Sequence, residues 1–258
     1  MITDADIAHW RSNVPWVDPD QVEQDLVLSR VIVEIASDPL LGPELVFRGG
    51  TCFHKLWLDR PWRYSEDLDY VRTTSGGVGE IPTALRSIGE RVGFESVNTA
   101  IGQHPKARFR STFATGDAMT IKIEINTFER SPARPIVRRN YGVDSPWFTG
   151  HAEVPTFDLA ELIATKVRAL FQRKKGRDLF DLWLAVRQAG VAPEDIAACF
   201  EPYRPEGWSA GRALDNLDAK LDDAQFVRDL DALIGELPEG YTIEHAAQVA
   251  RDVIAATG

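Results

Sequence analysis

Gly49-Gly50-Thr51 and, fourteen residues after Thr51, Ser65-Glu66-Asp67-Leu68-Asp69 set two kinds of chemistry close together in the chain. A pair of glycines lets the backbone turn tightly and bring its N–H groups up to an anion with no side chain in the way. An Asp-x-Asp pair offers hard oxygen ligands, and magnesium is usually held by one or two carboxylates together with substrate phosphates and water. Gly-Gly-Thr alone is a common turn, and Asp-x-Asp alone is often a solvated loop. In this order and spacing they point to a reaction on a nucleoside triphosphate.

The elements that must position these groups follow from local patterning. Leu45-Val46-Phe47 reads as a short buried strand running into the glycines, and Phe53, Leu56 and Trp57 recur at helical spacing over 51–58. The glycines then stand at a helix N-terminus, where unpaired N–H groups and the macrodipole favour a triphosphate, with the Thr51 hydroxyl as a further donor. In an extended segment residues i and i+2 share a face, so Asp67 and Asp69 project together while Leu68 and Tyr70 enter the opposite layer. A helix over 21–36, ending near Asp38-Pro39, is placed to buttress the glycine turn. A loop at 73–77 and a helix over 81–92 precede strand candidates at 94–100, 107–114 and 119–128. In the last of these Met119, Ile121, Ile123 and Ile125 alternate with Thr120, Lys122, Glu124 and Asn126, giving a half-buried strand with a polar face. Glu124 on that face suits an ion pair with Lys122 or an arginine on an exposed sheet face.

Pro132, Pro135, Pro146 and Pro155 make 130–155 read as a connection leaving the sheet, with a domain boundary expected between 145 and 146. A helix over 158–171 follows, N-capped by Asp158, with Lys166 on or beside its apolar stripe. A lysine there must snorkel or find an anion. After the turn Lys174-Lys175-Gly176 another helix starts near Arg177, and Asp178 and Asp181, three apart, are neighbours on one face. Asp178 also suits a purely structural role as a first-turn charge. Beyond Pro193 the chain reads as further helices with an acidic exterior, where Trp183 and Trp208 suit a core or interface better than base stacking.

These motifs resemble the DNA polymerase β-type nucleotidyltransferases, and within them the AbiEii/AbiGii-type toxin family. Its Gly-Gly-Thr turn matches Gly49-Gly50-Thr51, its Arg-x-Ser-x-Asp-x-Asp segment matches Arg63 to Asp69, and its later Lys and Arg-Asp motif matches Lys166 and Arg177-Asp178-Leu179-Phe180-Asp181. The resemblance implies an α/β (α+β) chain: a nucleotidyltransferase domain with a small mixed sheet over 1–145, then a helical domain over 146–258 that closes over the nucleotide. It implies Asp67 and Asp69, with Glu124 as third acid, as ligands for Mg²⁺ or Mn²⁺. Gly49, Gly50, Thr51, Ser65, Lys166 and Arg177 would hold the nucleotide. Asp178 or Asp181, undecided between the two, would complete the catalytic set. The reaction implied is transfer of a nucleoside monophosphate from an NTP to an acceptor hydroxyl, the 3′ end of tRNA, by a toxin restrained by an antitoxin.

The net charge of −10 is concentrated downstream: residues 191–258 hold fourteen acids against five bases, leaving about −1 for the first 190. Lys166 to Arg177 carries six bases and no acid, which marks Arg168, Arg173, Lys174 and Lys175 as candidate RNA contacts, and Arg130, Arg134, Arg138 and Arg139 form a second basic group. Cys52 and Cys199 are too sparse for a disulfide framework, and no apolar run approaches membrane-spanning length, so a reducing, cytoplasmic setting is expected. A small-molecule nucleotidyltransferase would share the metal site with less need of the basic tract. A non-catalytic binding module would tolerate loss of Asp67 or Asp69.

Overall fold

The computed structural model describes residues 2–102 and 104–258 and divides them into two units. The first runs to Ser131 and includes Ile136–Phe157; the second comprises Pro132–Pro135 and Asp158–Gly258.

Hydrophobic alternation builds the first unit. β1 (Leu45–Arg48), β2 (Asp67–Arg72), β3 (Ser96–Ala100), β4 (Lys106–Thr112), β5 (Ala118–Asn126), β6 (Val137–Asp144) and β7 (Thr149–Thr156) form one mixed sheet in the order β3-β4-β5-β2-β1-β7-β6. At seven strands it is larger than the small sheet expected. β2 lies antiparallel to β1 and parallel to β5, so the Asp-x-Asp strand sits in the middle of the sheet. Met119, Ile121, Ile123 and Ile125 are buried, as are Leu68, Tyr70, Ala107 and Phe109 from neighbouring strands. Each large apolar side chain so buried contributes about 1.5–3 kcal/mol. The Pro19–Ser37 helix starts on an Asp18 cap with Pro19 in its first turn, and its apolar stripe of Val22, Leu26, Ile32 and Val33 is buried. The Ile81–Val92 helix ends where Gly93 adopts φ +100.

The 130–155 segment, expected to leave the sheet, instead supplies β6 and β7. Its prolines fall outside the strands or, for Pro155, at the penultimate position of β7. Pro146 lies in the turn between the strands, and Pro155 is next to the one residue, Thr156, through which β7 registers with β1. The division between units accordingly lies at Phe157/Asp158 and not at 145/146, since the hairpin is paired into the sheet.

The second unit is helical: Leu159–Gln172, Gly176–Arg187, Pro193–Ala198, Ala210–Leu221, Ala224–Val227 and Ile243–Ala256. Leu162, Ile163, Leu179, Phe180, Trp183, Ile196, Phe200 and Phe226 are buried in it, which places Trp183 in a core as expected. Trp208 packs its ring against Phe171 and Phe200.

Candidate active site

The glycine turn is a continuation of β1. Arg48 is extended, Gly49 takes φ +86, a left-handed value that side-chain-bearing residues rarely adopt, and the Gly49–Leu56 helix begins there without a side-chain cap. Its first N–H groups are therefore not claimed by a capping side chain, which is what an anion-binding helix terminus requires. Both glycines also make room. A Cβ on Gly49 would stand 2.4 Å from Asp69 Oδ2, and one on Gly50 would stand 2.2 Å from Arg63 Nη2 and 3.3 Å from Ser65 Oγ. The Gly-Gly turn and the Arg-x-Ser-x-Asp-x-Asp segment thus fit together only because two side chains are missing.

Thr51 ties the two motifs covalently distant in the chain into one piece. Its hydroxyl lies 2.6 Å from the Asp67 carbonyl and 2.8 Å from Ser65 Oγ. A carbonyl only accepts, so the single Thr51 proton goes to Asp67 and Ser65 donates the second bond. Thr51 is buried, and its hydroxyl holds the start of β2 against the helix. Arg63, also buried, hydrogen-bonds the Tyr64 carbonyl at 3.2 Å. Sequence reasoning gave Arg63 no role of its own. Its signal was its place in the motif, one step before Tyr64-Ser65.

Asp67 and Asp69 share the open face of β2, with Leu68 and Tyr70 buried behind them, as the period-two reading requires. Glu124 is the register partner of Asp69 on β5 and Lys122 that of Asp67. The Glu124 carboxylate pairs not with Lys122 but with Lys106 of β4, at 2.8 Å. Lys122 Nζ is 3.7 Å from Asp67 Oδ1, beyond hydrogen-bonding distance, and that oxygen is shielded from water with no hydrogen-bond donor in reach. Lys122 offsets its charge at that distance without a hydrogen bond, so the carboxylate oxygen keeps its lone pairs for a further cation. Among the described residues no three acidic, histidine or cysteine side chains converge as a ready cage. Two carboxylates completed by phosphate oxygens and water are what magnesium ordinarily takes, so the residues fit a divalent ion that arrives with its nucleotide. Arg48, the register partner of Asp69 on β1, pairs with Glu129 and was not anticipated.

In the helical unit, Lys166 finds its anion inside the protein. Its ammonium lies 2.7 Å from Asp181 Oδ2 and 3.4 Å from Asp178 Oδ1, and all three side chains are buried. Arg173 clamps Asp178 through Nε at 2.6 Å and Nη2 at 2.7 Å. Burial pushes the Asp178 carboxyl up, but the Lys166 ammonium and the Arg173 guanidinium outweigh it and hold the carboxyl below its usual value. A counter-charge role for Lys166 toward phosphate therefore requires that it share or leave two carboxylates.

The rest of the basic tract is similarly engaged. Lys174 pairs with Asp223, and Lys175 and Arg177 lie 3.5 and 3.9 Å from Asp229. The Arg168 guanidinium sits over the Tyr203 ring. The second basic group is absorbed as well. Arg134 bridges Asp158 and Asp195, Arg139 donates to the Leu56 carbonyl and covers Trp57, and Arg130 and Arg138 donate to the Thr127 and Glu153 carbonyls.

A glycine helix terminus beside paired aspartates has the donors for a phosphate and the ligands for a cation. The family described as "Nucleotidyl transferase AbiEii toxin, Type IV TA system" matches residues 30–251. The chain belongs to the AbiEii family. It is accordingly a nucleotidyltransferase of the toxin half of a type IV toxin–antitoxin system. No curated protein matches it in sequence.

Two solved structures show how far the AbiEii fold is shared. The nucleotidyltransferase toxin MenT4 of Mycobacterium tuberculosis H37Rv is similar with a TM-score of 0.63 at 19% identity, over 100% of this chain and 90% of that one. JHP933 of Helicobacter pylori is similar with a TM-score of 0.59 at 15% identity, over 93% of this chain and 92% of that one. At such identities the likeness is one of fold. No helix among the described residues is long and apolar enough to cross a membrane.

Proposed function

We propose that this AbiEii chain moves a nucleoside monophosphate from an NTP to a hydroxyl at the 3′ end of a tRNA. The observation that carries the reading is the Asp67/Asp69 pair, packed on an uncapped glycine helix terminus with one carboxylate oxygen left without a donor. Asp67 and Asp69 would hold Mg²⁺, which when bound supplies Lewis-acid stabilisation of charge on the phosphoryl oxygens. The backbone N–H groups from Gly49 to Thr51 orient the triphosphate, and Thr51, Ser65 and Arg63 keep that turn fixed against β2. The acceptor oxygen forms a bond to the α-phosphorus, the bond from that phosphorus to the bridging oxygen breaks, and pyrophosphate leaves. The hydroxyl proton passes to a carboxylate, for which Glu124 is the candidate. Such transfer depends mainly on position and electrostatics, which this set of residues can supply.

The test incubates the protein with Mg²⁺, each α-labelled NTP in turn and total tRNA, beside Asp69→Asn. Label is expected in tRNA with the parent protein and to fall by at least about a hundredfold in the variant. Label in small molecules but not RNA would move the acceptor to a metabolite. Undiminished label with Asp69→Asn would remove the metal assignment.

A further inference from the structure

The open face of the sheet carries a basic row that leads to the aspartates. On β4, Lys106, Arg108 and Arg110 are exposed and alternate with buried Ala107 and Phe109. Residues directly opposite one another in a sheet share a face. Arg108 is the partner of Lys122, which is the partner of Asp67; Lys106 is the partner of Glu124, which is the partner of Asp69. Arg108 therefore stands two strands from Asp67, roughly 10 Å across the sheet.

What distinguishes Arg108 and Arg110 in this row is that their charge is not spent. Arg108 and Arg110 make no ion pair and no side-chain hydrogen bond among the described residues. The acids near them are already engaged, Glu124 by Lys106 and Glu95 by the Thr112 hydroxyl, each at 2.8 Å. The downstream tract, richer in bases by sequence, is held by acids of its own unit. Just outside the ends of the same pair of strands, beyond Lys106 and Glu124, the rings of His104 and Phe128 meet edge-on at 5.0 Å, and Phe128 is 62% exposed. Free guanidinium groups with an exposed aromatic ring further along the same strands are a pattern that holds a single strand several nucleotides long, with cations along the phosphates and a ring for a base to stack on.

We infer that the single-stranded end of the RNA acceptor lies across β4 and β5, its phosphates on Arg108, Arg110 and Lys122 and a base on Phe128. This rests on the reading that the chain transfers a nucleotide to RNA, and it names the surface that brings the end to Asp67 and Asp69.

The test measures binding of a short fluorescein-labelled single-stranded RNA by anisotropy over a series of salt concentrations. Arg108→Ala/Arg110→Ala is expected to bind about tenfold or more weakly, with the slope of log K against log salt reduced by about 1.4 for two lost phosphate contacts. Phe128→Ala is expected to bind about tenfold more weakly with its slope unchanged. Both variants should keep the parent's circular dichroism and NTP affinity, since these side chains are exposed. Parent-like affinity and slope in the double variant would overturn the inference. So would failure of the parent to bind RNA, or a loss confined to Lys174→Ala/Lys175→Ala. Parallel transfer assays separate the two readings. RNA bound through this face without label transfer would sink the reaction and leave the surface, whereas equal transfer by parent and double variant would sink the surface and leave the reaction.

Discussion

Gly49 and Asp69 contend for one volume: a Cβ on Gly49 would stand 2.4 Å from Asp69 Oδ2 and 3.0 Å from its Cβ. The glycine is thus needed twice, once for its φ of +86 and once so that the carboxylate can lie against the helix terminus. The turn proposed to hold phosphate and the carboxylate proposed to hold the cation are set in place by the same missing side chain.

Gly49→Ala should then impair folding and chemistry together. A left-handed alanine costs about 1–3 kcal/mol, and the Asp69 carboxylate must also move. The expected result is an unfolding free energy in urea lowered by that amount and nucleotide transfer reduced by at least about a hundredfold, because a displacement of an ångström at the reacting groups suffices for such a loss. Full transfer in a destabilised variant would show that the contact with Asp69 serves folding alone.

Thr51 permits a sharper separation, because valine keeps its shape and serine keeps its hydroxyl. Thr51→Val leaves the Asp67 carbonyl and Ser65 Oγ without the bonds at 2.6 and 2.8 Å, which should cost about 1–3 kcal/mol in urea unfolding. Thr51→Ser should restore most of it. Were Thr51→Val as stable as the parent yet inactive, the hydroxyl would be a phosphate donor first and a structural tie second.

The sequence was most legible where periodicity and chemistry coincide. The alternation of Met119 to Asn126 is β5, and the i, i+2 spacing of Asp67 and Asp69 does put both on the open face of β2. It was least legible where a feature depends on partners far along the chain. The β6–β7 hairpin lies in a proline-rich stretch without a clear apolar alternation, and what makes it sheet is pairing to Phe47 of β1. The basic tract at 166–177 looked available because local spacing does not show Asp181, Asp223 or Asp229 folding back onto it. Arg108 and Arg110 drew no notice for the converse reason, since only the register with β5 reveals that they share a face with the aspartates.

The buried cluster of Lys166, Asp178 and Asp181 predicts a specific pH response of the helical unit. The Asp178 carboxyl is held below its ordinary value of 3.8 by Lys166 and Arg173 despite burial. Below that value the unfolded chain takes up the proton more readily than the folded one, so stability falls as pH falls. The contribution is complete above about pH 4 and is lost as the pH drops through the folded value. Asp178→Asn should flatten this acid limb of urea midpoint against pH. Lys166→Met goes further, since it leaves two carboxylates buried with their lysine gone, and should cost about 3–5 kcal/mol near neutral pH. Combining Lys166→Met with Asp181→Asn should cost less than the sum of the two singles, because the second change removes a charge that the first left unpaired. Strict additivity would mean that Lys166 is not held by Asp181 in solution and that its ammonium is free for another anion.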